Sequence, residues 1–553
     1  MEQQFDYIVI GGGSAGAVLA ARLSEDKNVT VALLETGGDG RDWLIRTPAA
    51  AVAMLPTKIN NYGFETVPQA GLGGRCGYQP RGRGLGGSSA INAMVYVRGD
   101  RSDYDHWAAL GNPGWSYADV LPYFKRAENN ERIHDEYHGQ GGPLNVADLR
   151  TNNPFQQHFL QAAAEAGFQH NSDFNGASQE GAGIYQVTQI NGERCSAARA
   201  YLHPLMDGSR PNLQIMVRTR VQKIVIENQR ATGVRFDQHG QEKVLRAGRE
   251  VLLCAGAIHT PQLLMLSGIG DRAELAEQQI PLVHHLPGVG KNLQDHPDFI
   301  FGYAVKSLDL VGITFAGILR MVREFWCFIR HRRGMLTSNY AEGGAFLKFS
   351  PQSVAPDIQL HFVVAIVDDH ARKFNFRHGL SCHVCLLRPK SRGSIKLASA
   401  NPADAPLIDP AFFADNDDLE KMVVGYKLTQ KLLDVPSLAS RFVDNMFTKN
   451  VDSDDDIRRV LRERVDTVYH PVGSCKMGHD DMAVVDHALK VHGITALRVV
   501  DASIMPTLIG GNTNAPVIMI AEKAADMIRC DAARAAARAA DAAASQPPAQ
   551  NWV

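Results

Sequence analysis

The chain has 553 residues, with 57 Lys plus Arg against 59 Asp plus Glu and a net charge of −2. That length exceeds a single hydrophobic core, so two or more domains are expected. A near-zero net charge gives no global field that would draw the chain to nucleic acid or an anionic membrane. The 45% hydrophobic and 21% charged content is that of a globular enzyme.

The first specific signal runs from Phe5 to Glu35. Tyr7-Ile8-Val9-Ile10 predicts a strand, Gly11-x-Gly13-x-x-Gly16 a tight turn, the alanine-rich stretch after it a helix, and a second apolar run ends in Glu35. Each part has a mechanical use at an adenine dinucleotide. Gly11 permits the turn, Gly13 brings backbone up to a pyrophosphate, and Gly16 lets helix and strand pack closely. The helix N-terminus offers unpaired N–H groups to the phosphates. Glu35 stands where it would accept hydrogen bonds from ribose hydroxyls and repel a 2′-phosphate. The stretch alone does not separate NAD from FAD. No cationic leader or cleavable apolar segment precedes Phe5, which argues against export. Eight scattered cysteines fit reduced thiols in a cytoplasm.

Further along, Gly82 to Tyr96 forms a second glycine-rich loop, in which Gly86 and Gly87 would let backbone approach a flat ring system and Asn92 could bond to its polar edge. Glu250 to Gly256 and Ala496 to Ala502 are apolar runs ending in small residues, as expected of parallel strands buried on both faces. Gly256 to Gly270 reads as a strand end, a helix with Pro near its start, and a glycine stop. Between 306 and 464, strand patterns (Asp357 to Val364, His383 to Leu387) and helical patterns (417–434, 453–464) predict a second domain on an antiparallel sheet. Cys382-His383-Val384-Cys385 is a lone CxxC in a strand-like run, so core packing is expected in place of redox or zinc chemistry, and no metal site is expected. The apolar stretch 311–336, broken by arginines, is too short to span a bilayer. It reads as a buried lid helix or subunit contact, or else as an interfacial helix with Phe325, Trp326 and Phe328 in lipid. His470 sits in a loop punctuated by Gly, Pro and Ser, followed by Gly510 to Pro516, which opens a helix. From Asp531 the chain is low in complexity.

Together these segments resemble the glucose–methanol–choline (GMC) family of FAD-dependent oxidoreductases, from about Phe5 to Ile528. Gly82 to Asp105 fits the family's first signature and Gly256 to Gly270 its second. The resemblance is greatest to bacterial choline-dehydrogenase-type and aliphatic-alcohol-dehydrogenase members. It implies an α/β fold: a Rossmann-like FAD-binding domain with an α+β substrate domain built on an antiparallel sheet. The expected division is 1–157, 215–305 and 465–530 for the FAD domain, 158–214 and 306–464 for the substrate domain, and 531–553 for a tail.

The resemblance also implies roles. Gly11, Gly13, Ser14, Ala15, Gly16 and Glu35 would hold the ADP half of FAD, and Val221 would contact the adenine region. Gly87, Asn92, Ala93, Met94, Val95 and Ala255 would lie along the cofactor. Asp501-Ala502 and Asn512-Thr513 would meet the ribityl chain and pyrimidine edge. His470 matches the catalytic histidine, and Asn514 is matched to the second active-site position. Some relatives attach FAD through a histidine where this chain has Ile91, so the flavin is expected to be non-covalent. The implied reaction is oxidation of a primary alcohol to an aldehyde, with His470 taking the hydroxyl proton as hydride moves to flavin N5. Asn514 would position the same oxygen. Electrons would pass to a quinone or other acceptor; the alternative is an oxidase releasing peroxide, and a non-redox cyanohydrin lyase ranks below both. The expected setting is cytoplasmic, with peripheral inner-membrane contact through 311–336 as the sharper reading of that stretch. Which alcohol is used, and the oligomeric state, are left open.

Overall fold

The computed structural model describes residues 3–373 and 375–544. A seven-stranded sheet runs in the order Leu213–Met216, Val31–Leu34, Gln3–Ile10, Gln241–Leu253, Arg230–Gln238, Thr219–Glu227, with Leu497–Val499 paired to Gln241–Leu253 off that path. The strands on one side are parallel: Gln3–Ile10 lies parallel to Val31–Leu34 and to Gln241–Leu253, and Leu497–Val499 extends the parallel set. The long strand Gln241–Leu253 continues into an antiparallel meander with its two predecessors. Buried residues dominate the parallel part, where Val31–Leu34 is buried throughout. That explains the unbroken apolar runs at 7–10 and 251–253.

The helix Ser14–Leu23 packs on this sheet through a face of alanines and glycine. A side chain at Gly16 would put its Cβ 1.9 Å from the Gly11 carbonyl oxygen, so only glycine permits the approach. The same helix is held from outside by the helix Asn514–Ala544, where the Arg22 guanidinium meets the buried Glu522 carboxylate at 2.8 Å.

A second seven-stranded sheet, antiparallel throughout, runs Phe442–Asn445, Pro297–Val305, Gly379–Leu386, Ile358–Val363, Ala341–Leu347, Gly181–Ile184, with Asp466–Thr467 also on Pro297–Val305. Helices Pro154–Glu165, Asn416–Leu433 and Asp454–Arg464 contribute buried side chains to the core on one of its faces, among them Phe159, Tyr426 and Leu461, around Phe299, Phe301 and Phe362. Strand alternation sends Leu360, Phe362 and Val364 into that core and leaves His361, Val363 and Ala365 on the opposite face, over the cavity described below. The same alternation parts the CxxC pair. Cys382 enters the helix-covered core and Cys385 a small cluster on the other side, and no cysteine is bonded to another.

Some strands depart from the expected domain boundaries. Leu213–Met216 straddles 214/215 and pairs in the first sheet, while Pro297–Val305 and Asp466–Thr467, both placed with the cofactor domain, pair in the second sheet. Helix propensity carries the alanine-rich segment after Asp531 through to Ala544 as one helix; the remainder of the expected tail, 545–553, lies outside the described residues. Replacing Gly16 by Ala is expected to destabilise the fold by about 1–3 kcal/mol, the usual effect of overpacking; a thermal melt should show a lowered midpoint, and an unchanged one would contradict the packing described.

Candidate active site

A cavity of about 1840 Å³ is lined by residues of both sheets, from Gly11, Gly13 and Glu35 to His361, His470 and Asn512. Of the residues singled out from the sequence, all but Gly16 line it; Gly16 acts beneath it, as packing. The two glycine loops meet face to face. A Cβ on Gly87 would lie 2.8 Å from the Gly13 Cα, and the Gly86 N–H donates to the Gly12 carbonyl at 2.8 Å. With the N-terminus of Ser14–Leu23 open to the cavity, this is a cradle of backbone that an extended phosphate-bearing cofactor fits.

Glu35 does more here than wait for a ribose. Its Oε1 accepts from the Gly37 and Gly84 amides at 2.8 and 3.0 Å, and Oε2 accepts from Gly12 at 2.9 Å. The carboxylate ties three loops together, and burial, opposed by these amides, raises its pKa. Asp501 is similarly occupied, accepting from the Gly256 amide at 2.8 Å, Thr260 Oγ1 at 2.6 Å and the Ser503 amide at 2.8 Å. Asn92 Oδ1 accepts from Arg194 Nη1 at 2.8 Å, which fixes the turn into Met94, a residue with φ of 57°. Tyr62, Phe64 and His259 form a ring cluster, with centroids 4.5–5.3 Å apart, and all three line the cavity. No periodicity in the sequence marked them.

At the other end, the His470 backbone N–H donates to Asp295 Oδ1 at 2.9 Å, and Thr467 Oγ1 holds Oδ2 of the same carboxylate at 2.5 Å. The imidazole is 8% exposed, and its Nε2 faces Asn512 Nδ2 at 3.2 Å. Burial, then the neighbouring His296, His361 and Arg81, hold its pKa well below the ordinary 6.5. The ring is therefore neutral and able to accept a proton.

The asparagine beside His470 is Asn512, which corrects the expected pairing with Asn514. Asn514 is the first residue of its helix, and its Oδ1 accepts from Ser14 Oγ at 2.7 Å, at the start of the glycine-cradle helix. Two asparagines two positions apart straddle a loop-to-helix junction, so their side chains diverge.

The helix Phe315–His331 covers part of the cavity, with Ile318, Met321, Val322 and Phe325 in its lining. It is not the buried lid of the first expectation: along its length only Gly317 and Phe328 are buried. Phe328, expected in lipid by the interfacial reading, is 2% exposed, with the Arg332 guanidinium 4.8 Å from its ring. No helix among the described residues is long and apolar enough to cross a membrane.

Comparison with known proteins agrees with this geometry. Residues 5–298 match the N-terminal model of the GMC oxidoreductases and residues 389–521 the C-terminal one. The chain is 47% identical over 529 residues to an alcohol dehydrogenase [acceptor] of Pseudomonas putida, covering 95% of each. It is 43% identical over 543 residues to the mitochondrial choline dehydrogenase of Homo sapiens, covering 95% of this chain and 90% of that one. Among solved structures it superposes on a pyridoxine 4-oxidase from Mesorbium loti with a TM-score of 0.85 at 30% identity, covering 94% and 98% of the two chains. Two matched family models, together spanning most of the chain, place it in the GMC oxidoreductase family.

Proposed function

We propose that the protein is an FAD-dependent dehydrogenase that oxidises an uncharged, largely apolar primary alcohol to its aldehyde and passes the electrons to a quinone or similar acceptor. The carrying observation is a neutral, buried His470 whose Nε2 opens on a cavity continuous with a backbone cradle for the cofactor. Gly11, Gly13, Ser14, Ala15 and Gly87 would hold the phosphates, Val221 the adenine side, and Asn92 to Val95, Ala255, Ala502 and Thr513 the remainder, non-covalently because Ile91 offers no nucleophile. Bound FAD supplies the hydride acceptor. His470 Nε2 takes the hydroxyl proton, which leaves the carbon–hydrogen bond electron-rich enough to break. The Asn512 amide lies beside that nitrogen and positions the substrate oxygen. The His470→Ala variant should slow anaerobic flavin reduction by alcohol about 10²–10⁴-fold while FAD stays bound; reduction near the wild-type rate would refute the assignment.

The substrate class follows from the lining. Four carboxylates reach the cavity and each already has partners: Glu35 and Asp501 as described, Glu65 with Arg372 at 3.7 Å, and Asp404 with Ser399 and Asn401 at 2.6 and 3.0 Å. Six Lys and Arg side chains line it as well, namely Lys58, Arg81, Arg83, Arg220, Lys373 and Arg377. Glu342 is buried and held by Ser338 and Gln156, outside the lining. Among the described residues no free carboxylate is left for a quaternary ammonium, while Val311, Ile318, Met321, Val363 and Ile366 suit an alkyl chain. With about 0.8 kcal/mol for each buried CH₂, kcat/KM should climb a few-fold per methylene along the linear alcohols, and 1-octanol should surpass choline. A flat series with choline highest would reverse this reading.

The same helix supports a cytoplasmic enzyme docked on the inner membrane. Phe315, Ile318, Leu319, Val322, Phe325, Trp326 and Ile329 recur at helical spacing and are exposed, Phe315 by 80% and Trp326 by 66%. Exposed Arg323, Arg330, His331 and Arg333 flank this stripe, as at an anionic lipid surface. A quinone and an apolar alcohol both concentrate in such a surface, beside the cavity that Ile318 and Phe325 line. The protein should float with phosphatidylglycerol vesicles, and the Phe315→Glu/Trp326→Glu double variant should stay at the bottom of the gradient; equal flotation of both would remove the helix from the argument.

A further inference from the structure

His296 lies beneath His470 and is fully buried, at the start of an inner strand of the second sheet. The two imidazoles meet at 89° with Nδ1 to Nδ1 at 3.0 Å, so one of these atoms carries the proton. The other nitrogen of His296 decides which. Nε2 lies 3.1 Å from the Leu387 carbonyl, an acceptor only, so Nε2 is the protonated nitrogen of a neutral ring and Nδ1 is bare. The opposite arrangement would set a lone pair against the carbonyl oxygen in a buried site and leave both acceptors unmet. His470 must then donate from Nδ1, and its lone pair is confined to Nε2, toward the cavity.

An independent chain of bonds reaches His470 from the opposite side with the same answer. Tyr185 Oη donates to the Leu360 carbonyl at 2.7 Å and so accepts from Gln359 Nε2 at 3.1 Å. That orients the Gln359 amide, whose second N–H goes to Asn512 Oδ1 at 3.0 Å, leaving Asn512 Nδ2 as the donor at 3.2 Å to His470 Nε2. Both chains end on backbone carbonyls that cannot change role.

We infer that His296 is a positioning residue that locks His470 into the single tautomer able to act as the base, with its proton on Nδ1 and its lone pair on Nε2. Burial lowers the pKa of His296 and the Leu387 carbonyl opposes it, with smaller effects from the Arg388 charge, which lowers it, and the Ile509 carbonyl, which raises it; burial dominates, so the ring stays neutral, with a pKa of about 3. The lock also serves the product side of the step. When Nε2 takes the alcohol proton, the positive charge on His470 is shared through Nδ1–H with the bare Nδ1 of His296.

This inference rests on His470 being the base, and its test separates the two claims. Asn and Gln at position 296 divide the two hydrogen bonds of the histidine. An Asn side-chain oxygen reaches the place of Nδ1 and keeps the bond to His470, whereas a Gln amide reaches the place of Nε2 and keeps only the bond to Leu387. Anaerobic stopped-flow flavin reduction by 1-octanol, expressed per bound flavin, is the readout. The His296→Gln variant should fall by about 100-fold, the lower end of what a positioned general base contributes, with the alcohol concentration at half-saturation unchanged. It should also gain a solvent deuterium isotope effect, because proton removal has become slow. The His296→Asn variant should remain within about tenfold of wild type, since general-base positioning is retained. Equal rates in the two variants, or His296→Gln the faster, would overturn the lock; so would a loss seen only in flavin content. If wild-type flavin is not reduced by any alcohol, or His470→Ala reduces normally, the underlying functional reading fails instead.

Discussion

The chemistry of this fold depends on one buried hydrogen bond, the 3.0 Å contact between the Nδ1 atoms of His296 and His470. Imidazole is a useful base only if its bare nitrogen points at the substrate, and a neutral ring in water distributes its proton between two positions. Here backbone carbonyls at Leu387 and Leu360 remove that choice through two chains of side chains. The anchor carbonyls lie in the second sheet at Leu360 and one residue past its strand Gly379–Leu386 at Leu387; His470 follows the short strand Asp466–Thr467 of the same sheet, and Asn512 comes from the separate loop that enters the helix Asn514–Ala544. Bringing that loop against the second sheet therefore completes the base and selects its tautomer in the same event.

The dry setting that makes the lock rigid also sets the charge state. His296, His361 and His470 form a buried group in which burial is the largest influence; His383 and His296 further disfavour charge on His361, and His296 and His361 on His470. His383 meets Asp298 through Nδ1 at 2.6 Å. A cation is tolerated beside this group where it meets a backbone oxygen, as Arg81 does at the Tyr469 carbonyl at 2.6 Å. The carboxylates of the cavity are already engaged, and the side chains that the helix Phe315–His331 adds to its lining, Ile318, Met321, Val322 and Phe325, suit an apolar substrate.

Much of this architecture was legible because it is local. Parallel strands buried on both faces write themselves as apolar runs, and a turn that must bring backbone to phosphate writes itself as glycine. Helices at 416–433 and 454–464 fall within a residue or two of their expected spans. What sequence could not give depends on contacts across the chain. His296 and His470 are 174 residues apart, and nothing about a Gln-Asp-His-Pro run in a strand entry indicates a second imidazole above it. Asn512 and Asn514 differ only in which side of a helix start they occupy. Glu35 reads as a ribose ligand from its spacing, but its role in clamping Gly12, Gly37 and Gly84 appears only when three loops come together. Phe328 belongs to an apolar run, and only the rotation of the helix tells that it faces inward while Trp326 faces out.

The most direct test of a neutral, oriented base at position 470 is the pH dependence of anaerobic flavin reduction at limiting alcohol. Burial disfavours the charged ring and lowers its pKa, so the proton-accepting form persists as pH falls through 6.5. Reduction should remain near its plateau at pH 6, with the acid limb displaced to lower pH. An acid limb with an apparent pKa at or above 6.5 would contradict the account.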